Sequence, residues 1–391
     1  MVTYPSDWTV DSLNNVAKLF DNLRIPVTKS LRTPGNIPYY GANGIQDFVS
    51  GYTHDGEFVL IAEDGANDLL NYPVTYVGGK VWVNNHAHVL AGNQSITDTK
   101  FLSYLLKKVD YSAILVGGTR AKLNGKVLRN IEITFPEKIS EQQSIASVLS
   151  DFDEHINNLT ELIEKKRAIR DGALEDLISG RTRLDGFDGE WATCKIGDFL
   201  EFKNGLNKAK DFFGTGTPII NYMDVYKNRG LTRNLVKGKV ELSTDEIKRY
   251  EVKKNDVFFT RTSETPEEIG ISSVLLESID DCAFSGFVLR GRPKNKLISP
   301  NYCQFCFSIK SVRNDIIKNC TYTTRALTNG TQLSEIDLHF PPDFQEQEAI
   351  VSVLTAMEEE IEFLEEERTK MLSIKEGAMD DLLTGRVRLK V

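Results

Sequence analysis

The chain has 391 residues, with 40% hydrophobic and 26% charged, enough for two or three folded domains and too apolar to be disordered. No apolar run reaches the ~20 residues of a membrane span, MVTYPSDW is not a signal sequence, and five cysteines, all after residue 190, make no disulfide framework, so a cytoplasmic location is expected. The formal charge of -9 is uneven: Lys+Arg against Asp+Glu is roughly 12 to 11 over 1–130, 7 to 11 over 131–184, 22 to 20 over 185–335 and 6 to 14 over 336–391, so the two larger segments can each carry a basic face.

In chain order, Trp8 and Leu13 open a first segment in which Tyr39, Tyr40, Asn43, Asn84, Asn85 and His86 form polar-aromatic loops beside predicted strands. It closes on Thr119, Arg120, Lys122 and Asn124. A strand follows, with Ile131, Ile133 and Phe135 alternating and Pro136 stopping the ladder. Helical spacing then runs through Ile145, Val148, Leu149, Phe152, Ile156, Leu159, Ile163, Ile169, Ala173 and Leu177. A helix from Glu141 to Ser179 would be roughly 58 Å long. Gly180 suits its C-cap and Arg181 its negative end.

Trp191 and Ile196 then repeat the spacing of Trp8 and Leu13. In the second segment Asn221, Tyr222, Lys227, Arg229, Arg233, Arg261, Thr262 and Ser263 form comparable loops, which close on Thr324, Arg325 and Asn329. Ile336, Leu338 and Phe340 make a second strand, and Ile350, Val353, Leu354, Met357, Ile361, Leu364, Ile374, Ala378 and Leu382 a second helical stripe ending at Gly385.

These correspondences are one internal repeat. Residues 131–184 align without a gap on 336–389, with 23 of 54 positions identical. Gly172 and Gly377 fall inside the helices at equivalent positions, where glycine costs about 1 kcal/mol; either a close helix crossing offsets that cost or the helices break there. A lone helix cannot bury such a stripe, so each copy needs a partner, and the other copy is the obvious one. Trp8 lies as near the start of the chain as Trp191 lies to the end of the first repeat, so the termini are expected close together in a pseudo-symmetric body.

The motifs FPEKISEQQSIASVL and FPPDFQEQEAIVSVL, with GALEDLISGRTRL and GAMDDLLTGRVRL, resemble the starts and ends of the spacer helices of type I restriction-modification specificity subunits. GNIPYYGANGIQDFVSGYTHDGEFVLIAEDGAN with KVWVNNHAHVL resembles one class of that family's target recognition domains, and TPIINYMDVYKNRGL with YEVKKNDVFFTRTSETPEEIGISSVLL another. The resemblance covers essentially the whole chain. It implies an α+β protein, pseudo-two-fold symmetric, with two globular α/β target recognition domains (1–138 and 185–343) separated by two long antiparallel spacer helices (139–184 and 344–391). It further implies that each domain reads half of a bipartite, asymmetric site on double-stranded DNA and that the helices fix the spacing. Two methyltransferase subunits, carrying S-adenosylmethionine, and restriction-translocase subunits, using ATP and Mg, would be partners; this chain would need no cofactor or metal and would do no catalysis.

Lys and Arg grip phosphates, while Arg, Asn and Gln read base edges. The repeated Thr119/Thr324, Arg120/Arg325 and Asn124/Asn329 therefore stand out, although Asn-Gly also suits a tight turn. No GxxxxGK[ST] phosphate loop is present. His86-x-His88 and Cys303-x-x-Cys306 lack second ligand pairs, and Cys303, Phe305 and Phe307 read as a buried face. Two other readings compete: a coiled-coil adaptor with two domains for a non-DNA ligand, and a self-contained nuclease.

Overall fold

The computed structural model describes residues 3–66, 68, 71–115 and 122–390. Contacts divide the chain into two units, Met1–Glu161 with Glu365–Val391, and Leu162–Leu364. Each long helix is thus shared between the units rather than forming a section of its own. Among the described residues no helix is long and apolar enough to cross a membrane.

In chain order the first unit holds β1 (Trp8–Ser12), α1 (Leu13–Val16), β2 (Ala17–Leu19), β3 (Pro34–Gly41), β4 (Gly44–Val49), β5 (His54–Ala62), β6 (Val74–Val83) and β7 (Ala87–Gly92). Next come α2 (Thr99–Lys107), α3 (Gly125–Arg129), β8 (Glu132–Pro136) and the first part of α4 (Ile139–Ile178). Six strands form one sheet in the order β2-β7-β5-β6-β3-β4. The two-residue period of β5 sends Val59 and Ile61 to one face and Phe58 and Leu60 to the other. The first face packs on α2 through Phe101, Leu102, Leu105 and Leu106, on Ile145, Leu149 and Leu382 of the long helices, and on Leu383 just beyond the second helix; the second packs with Val77, Val81, Val83 and Val89.

The second unit holds β9 (Ala192–Lys195), α5 (Ile196–Phe199), β10 (Leu200–Asn204), β11 (Phe213–Ile220), α6 (Tyr222–Lys227), β12 (Gly230–Leu231), β13 (Gly238–Val240), α7 (Thr244–Tyr250) and β14 (Val257–Thr260). It continues with β15 (Thr262–Ser263), β16 (Ser272–Leu275), β17 (Ala283–Phe284), β18 (Val288–Pro293), α8 (Lys310–Asn319), β19 (Thr321–Tyr322), β20 (Ala326–Leu327), α9 (Gly330–Ser334), β21 (Asp337–Phe340) and α10 (Phe344–Leu382). Its sheets are β10-β18-β14-β16-β12, β13-β11-β17 and β15-β20-β19. Cys303, Phe305 and Phe307 are buried together as the sequence suggests, in a 3-10 turn and its continuation rather than a strand.

The repeat builds the same local frame in each unit. β1 pairs antiparallel with β8, and β9 with β21. Leu13 N–H donates to Ile131 O at 2.9 Å, and Ile196 N–H to Ile336 O at 2.9 Å. Gln142 accepts from Asp98 N (2.8 Å) and donates to Ile96 O (2.9 Å) and Pro136 O (2.8 Å). Gln347 does the same with Ser299 N (2.7 Å), Leu297 O (3.1 Å) and Pro341 O (2.8 Å). The end of one repeat locks onto the start of the other: in the first unit Arg388 lies over Trp8 and forks onto buried Glu141. In the second, Arg183 lies over Trp191 and forks onto buried Glu346. Gly180 and Gly385 end the helices at φ of 73° and 72°, as C-cap glycines do. Gly385 lies against Pro5 and Trp8, which brings the two ends of the chain together.

Within each unit the two helix segments run antiparallel. Asp153 meets Lys375 and Glu141 meets Arg388 in the first unit; Lys166 meets Glu360 (2.6 Å) and Arg170 meets Glu358 (3.5 Å) in the second. Two helical expectations need correction. Ile169 and Ile374 are exposed, because six residues after Ile163 a side chain sits about 240° around the helix from it; Leu174 and Ile178 are buried instead. Gly172 and Gly377 mark neither a crossing nor a break. Both helices are continuous, and a Cβ at either position would meet nothing within 4 Å. Replacing either glycine by alanine should therefore stabilise its unit by about 0.4–1 kcal/mol, seen as a raised urea midpoint; a lowered midpoint would contradict the open packing.

Candidate nucleic-acid interface

Outside the repeat the two units share no obvious sequence, yet the hydrogen bonds of each build a loop platform of the same design. In the first unit β3 runs parallel to β6, with Tyr40 beside Val83, and Asn84 N–H donates to Tyr40 O at 3.1 Å. The chain then turns so that Glu63 N–H reaches His86 O (2.8 Å) and Leu123 N–H reaches Glu63 O (2.8 Å), with Asp64 bridged to Lys122. In the second, β11 runs parallel to β17, with Ile220 beside Phe284, and Ser285 N–H donates to Ile220 O at 2.9 Å. Arg261 N–H reaches Phe287 O (3.0 Å), Thr328 N–H reaches Arg261 O (3.0 Å), and Thr262 pairs with Leu327. Asp64, His86 and Lys122 thus occupy the positions that Thr262, Phe287 and Leu327 occupy in the other unit.

On the first platform Asn43, Asn85, His86 and Lys122 are exposed. Asn43 donates to Gly65 O at 2.9 Å, and His86 Nδ1 lies 2.6 Å from Asp64 Oδ1, leaving Nε2 for an outside partner. Lys122 is drawn to Glu63 (2.9 Å) and Asp64 (3.7 Å). Thr119 and Arg120 lie outside the described residues.

Several candidates are engaged, wholly or in part, within the fold. Tyr39 is 1% exposed, with its hydroxyl bonded to Val27 N and O and its ring under Arg32, so it reaches no ligand. Tyr40, on the opposite face of β3, is only half-buried and its ring stays accessible, although partial burial pushes its phenol up. Asn84 is buried and caps the turn by accepting from His86 N at 2.8 Å. Asn124 and Asn329 are helix N-caps, accepting at 3.0 Å from Val127 N and Gln332 N, so the Asn-Gly pairs open helices α3 and α9. Loop composition cannot separate these roles, because a short strand and the turn beside it use the same residues. His88 binds Asp21 and Leu123 O, and among the described residues no cluster could hold a metal ion.

On the second platform Tyr222, Thr262, Ser263 and Arg325 converge with Glu264, Glu268 and Phe287 around an open cavity of about 410 Å³. Ser263 is buried and spent on Glu268 (2.9 Å), whereas Arg325 and Thr324 are exposed. Arg261 donates to Gly286 O at 3.4 Å and so steadies the turn that carries Phe287. Asn221 sits at the start of α6, where its N–H donates to Asp224 at 2.8 Å. Arg229 is corrected: it bonds Ser308 (2.6 Å) and ion-pairs with Glu358 of α10 (3.0 Å), and burial pulls its guanidinium below the ordinary range. Lys227 lies beside it at a separate cavity, and Arg233 is exposed near Asp280. Phe287, Asp64 and Leu327 were not singled out from the sequence. A lone Phe reads as core, and only the backbone bonds reveal these positions as counterparts.

The sequence profile of the type I restriction modification DNA specificity domain matches the chain twice, at residues 5–167 and 188–372. A putative type I restriction enzyme specificity subunit of Haemophilus influenzae is 48% identical over 137 residues, 35% of each chain. The specificity subunit of the type I restriction enzyme MjaVIII of Methanocaldococcus jannaschii is 22% identical over 99% of this chain and 94% of its own. The crystal structure of the type I restriction-modification S subunit from M. genitalium shares the fold, with a TM-score of 0.63 over 96% of both chains at 18% identity. Matched in both of its units, this chain belongs to the family of type I restriction-modification DNA specificity subunits.

Proposed function

We propose that the chain reads a split, asymmetric site on double-stranded DNA, one half per unit, and brings methyltransferase and restriction subunits to it. One observation carries this reading: the two units build the same platform from the same backbone bonds but display different side chains on it, His86 with Asp64 and Lys122 against Phe287 with Thr262 and Leu327. One scaffold with two faces suits two unlike half-sites. Exposed Arg325, in the loop repeated between the units, grips the DNA backbone, as a residue shared by both readers should.

In this reading the antiparallel helices are spacers that fix the separation of the half-sites in a pseudo-two-fold body. Two methyltransferase subunits dock on it and supply S-adenosylmethionine, and restriction subunits supply ATP and Mg chemistry. The chain itself is non-catalytic and works in the cytoplasm.

The test is methylome sequencing of cells expressing this chain with a cognate methyltransferase subunit. A split adenine-methylation motif that disappears without the chain is expected. No motif from a complex shown to be stable would refute DNA reading. Arg325→Ala should weaken binding of the assembled methyltransferase to its site by about tenfold, more than alanine at exposed Lys18, while leaving the motif itself unchanged. Equal effects of the two substitutions would remove Arg325 from the interface.

A further inference from the structure

The platform equivalence assigns a chemical task to Phe287, resting on the DNA-reading function proposed above. We infer that Phe287 is the specificity-determining residue of the second unit at one base pair, and that it recognises the 5-methyl group of a thymine in the major groove.

Phe287 is 59% exposed, on the turn between β17 and β18. Its backbone is held by Arg261 N–H on its carbonyl and Arg261 Nη1 on the carbonyl of Gly286. The ring is therefore presented on a fixed turn, outside the hydrophobic clusters. It lines the cavity of about 410 Å³ together with Thr262, whose methyl adds apolar surface, and exposed Arg325 stands at the same cavity. Beside Thr262 on the ladder lies Leu327, also exposed. All three positions are polar in the first unit, where Asp64, His86 and Lys122 stand in their place.

Phenylalanine has neither donor nor acceptor, so it cannot discriminate among base edges by hydrogen bonding. In the major groove the one apolar group that distinguishes a base pair is the thymine methyl, and Phe and the methyl of Thr are among the side chains that contact it. His86, with Nδ1 engaged by Asp64, offers Nε2 to a hydrogen-bonding edge instead. The same backbone position thus reads an apolar feature in one half-site and a polar one in the other.

The experiment uses the assembled methyltransferase complex and duplexes carrying its methylation motif, with each thymine replaced in turn by deoxyuridine, which removes the methyl alone. One replacement, in the half-site read by the second unit, should weaken wild-type binding roughly fourfold, the worth of one buried methyl. Phe287→Ala should be indifferent to that replacement and relax the motif at that pair. Phe287→Leu should keep part of the discrimination, and His86→Ala should keep all of it while changing the other half-site. Both side chains are exposed, so these variants should fold as the wild type does, which unchanged circular dichroism checks. A motif without a methyl-sensitive thymine, or an F287A complex that still senses the methyl, overturns the role of Phe287 while leaving DNA reading intact. A wild-type complex with no split motif overturns both.

Discussion

Arg183→Ala is expected to lower the stability of the second unit by about 3 kcal/mol. Glu346 lies in the first turn of α10 with its side chain only 3% exposed. Its carboxylate accepts from Arg183 Nη2 at 2.8 Å, from Arg183 Nε and from Trp191 Nε1 at 3.2 Å. Removing the guanidinium leaves a buried charge with one neutral donor, and that uncompensated charge, more than the lost contact, sets the cost. Arg183 also lies over Trp191 and donates to Gly189 O at 3.0 Å, so Arg183→Lys should recover only part of the loss. The double variant R183M/E346L removes both charges and should be closer to wild type than R183A. Denaturant unfolding of the three variants checks the order; a loss below about 1 kcal/mol for R183A would mean that solvent already screens the pair. A smaller loss in the same direction is expected for Arg388→Ala in the first unit: Glu141 is buried there too, and its hydrogen bonds, with those of Asp7, hold the Arg388 guanidinium above its ordinary range, but Arg388 is 39% exposed and solvent screens the pair.

Gln347→Ala should cost a similar amount, about 3 kcal/mol, through hydrogen bonds alone. This side chain is fully buried and joins three separate pieces of backbone, at Ser299, Leu297 and Pro341. Alanine strands the Ser299 N–H and the Pro341 carbonyl away from water and leaves the part-buried Leu297 carbonyl without this donor. Gln347→Glu gives a sharper test because it replaces the amide N–H donors with an oxygen that faces two carbonyls. A carboxyl there keeps its proton, so its folded pKa lies above the unfolded value of about 4.3. The stability it contributes is present below that unfolded value and lost as pH rises through the folded one. Q347E should therefore lie nearer to wild type at pH 4 than at pH 7, measured as the difference in denaturation midpoint; a pH-independent difference would show that the site admits water.

The sequence pattern carries the strands 131–135 and 336–340, both long helices and their glycine caps, because period and identity coincide there. It also displays the repeated Glu-Gln of Glu141-Gln142 and Glu346-Gln347, but not their use. Glu141 meets Arg388 and Glu346 meets Arg183, partners far away along the chain that no local pattern can join. Adjacent strand residues defeat composition for another reason. Tyr39 and Tyr40 point to opposite faces, and a shift of one residue would exchange the buried ring for the accessible one. Asn84 and Ser263 carry the polarity expected of a reading loop but spend it inside the fold. Phe287 lacks that polarity and stands outside.

The placement of residues 365–391 in the first unit has a consequence for biosynthesis. Met379, Leu382 and Leu383 complete the core around Leu13 and Ile145, and Arg388 neutralises buried Glu141. On a ribosome, the second unit has all of its residues once Leu364 emerges, whereas the first, whose earlier part was made roughly 230 residues before Val391, must still wait. At about 5–20 residues per second, that interval is on the order of 10–50 s. During it the apolar face that Leu382 and Leu383 will cover stays open to chaperones or to a neighbouring nascent chain. A ribosome that stalls between codons 365 and 388 would leave a complete second unit attached to an unfinished first one.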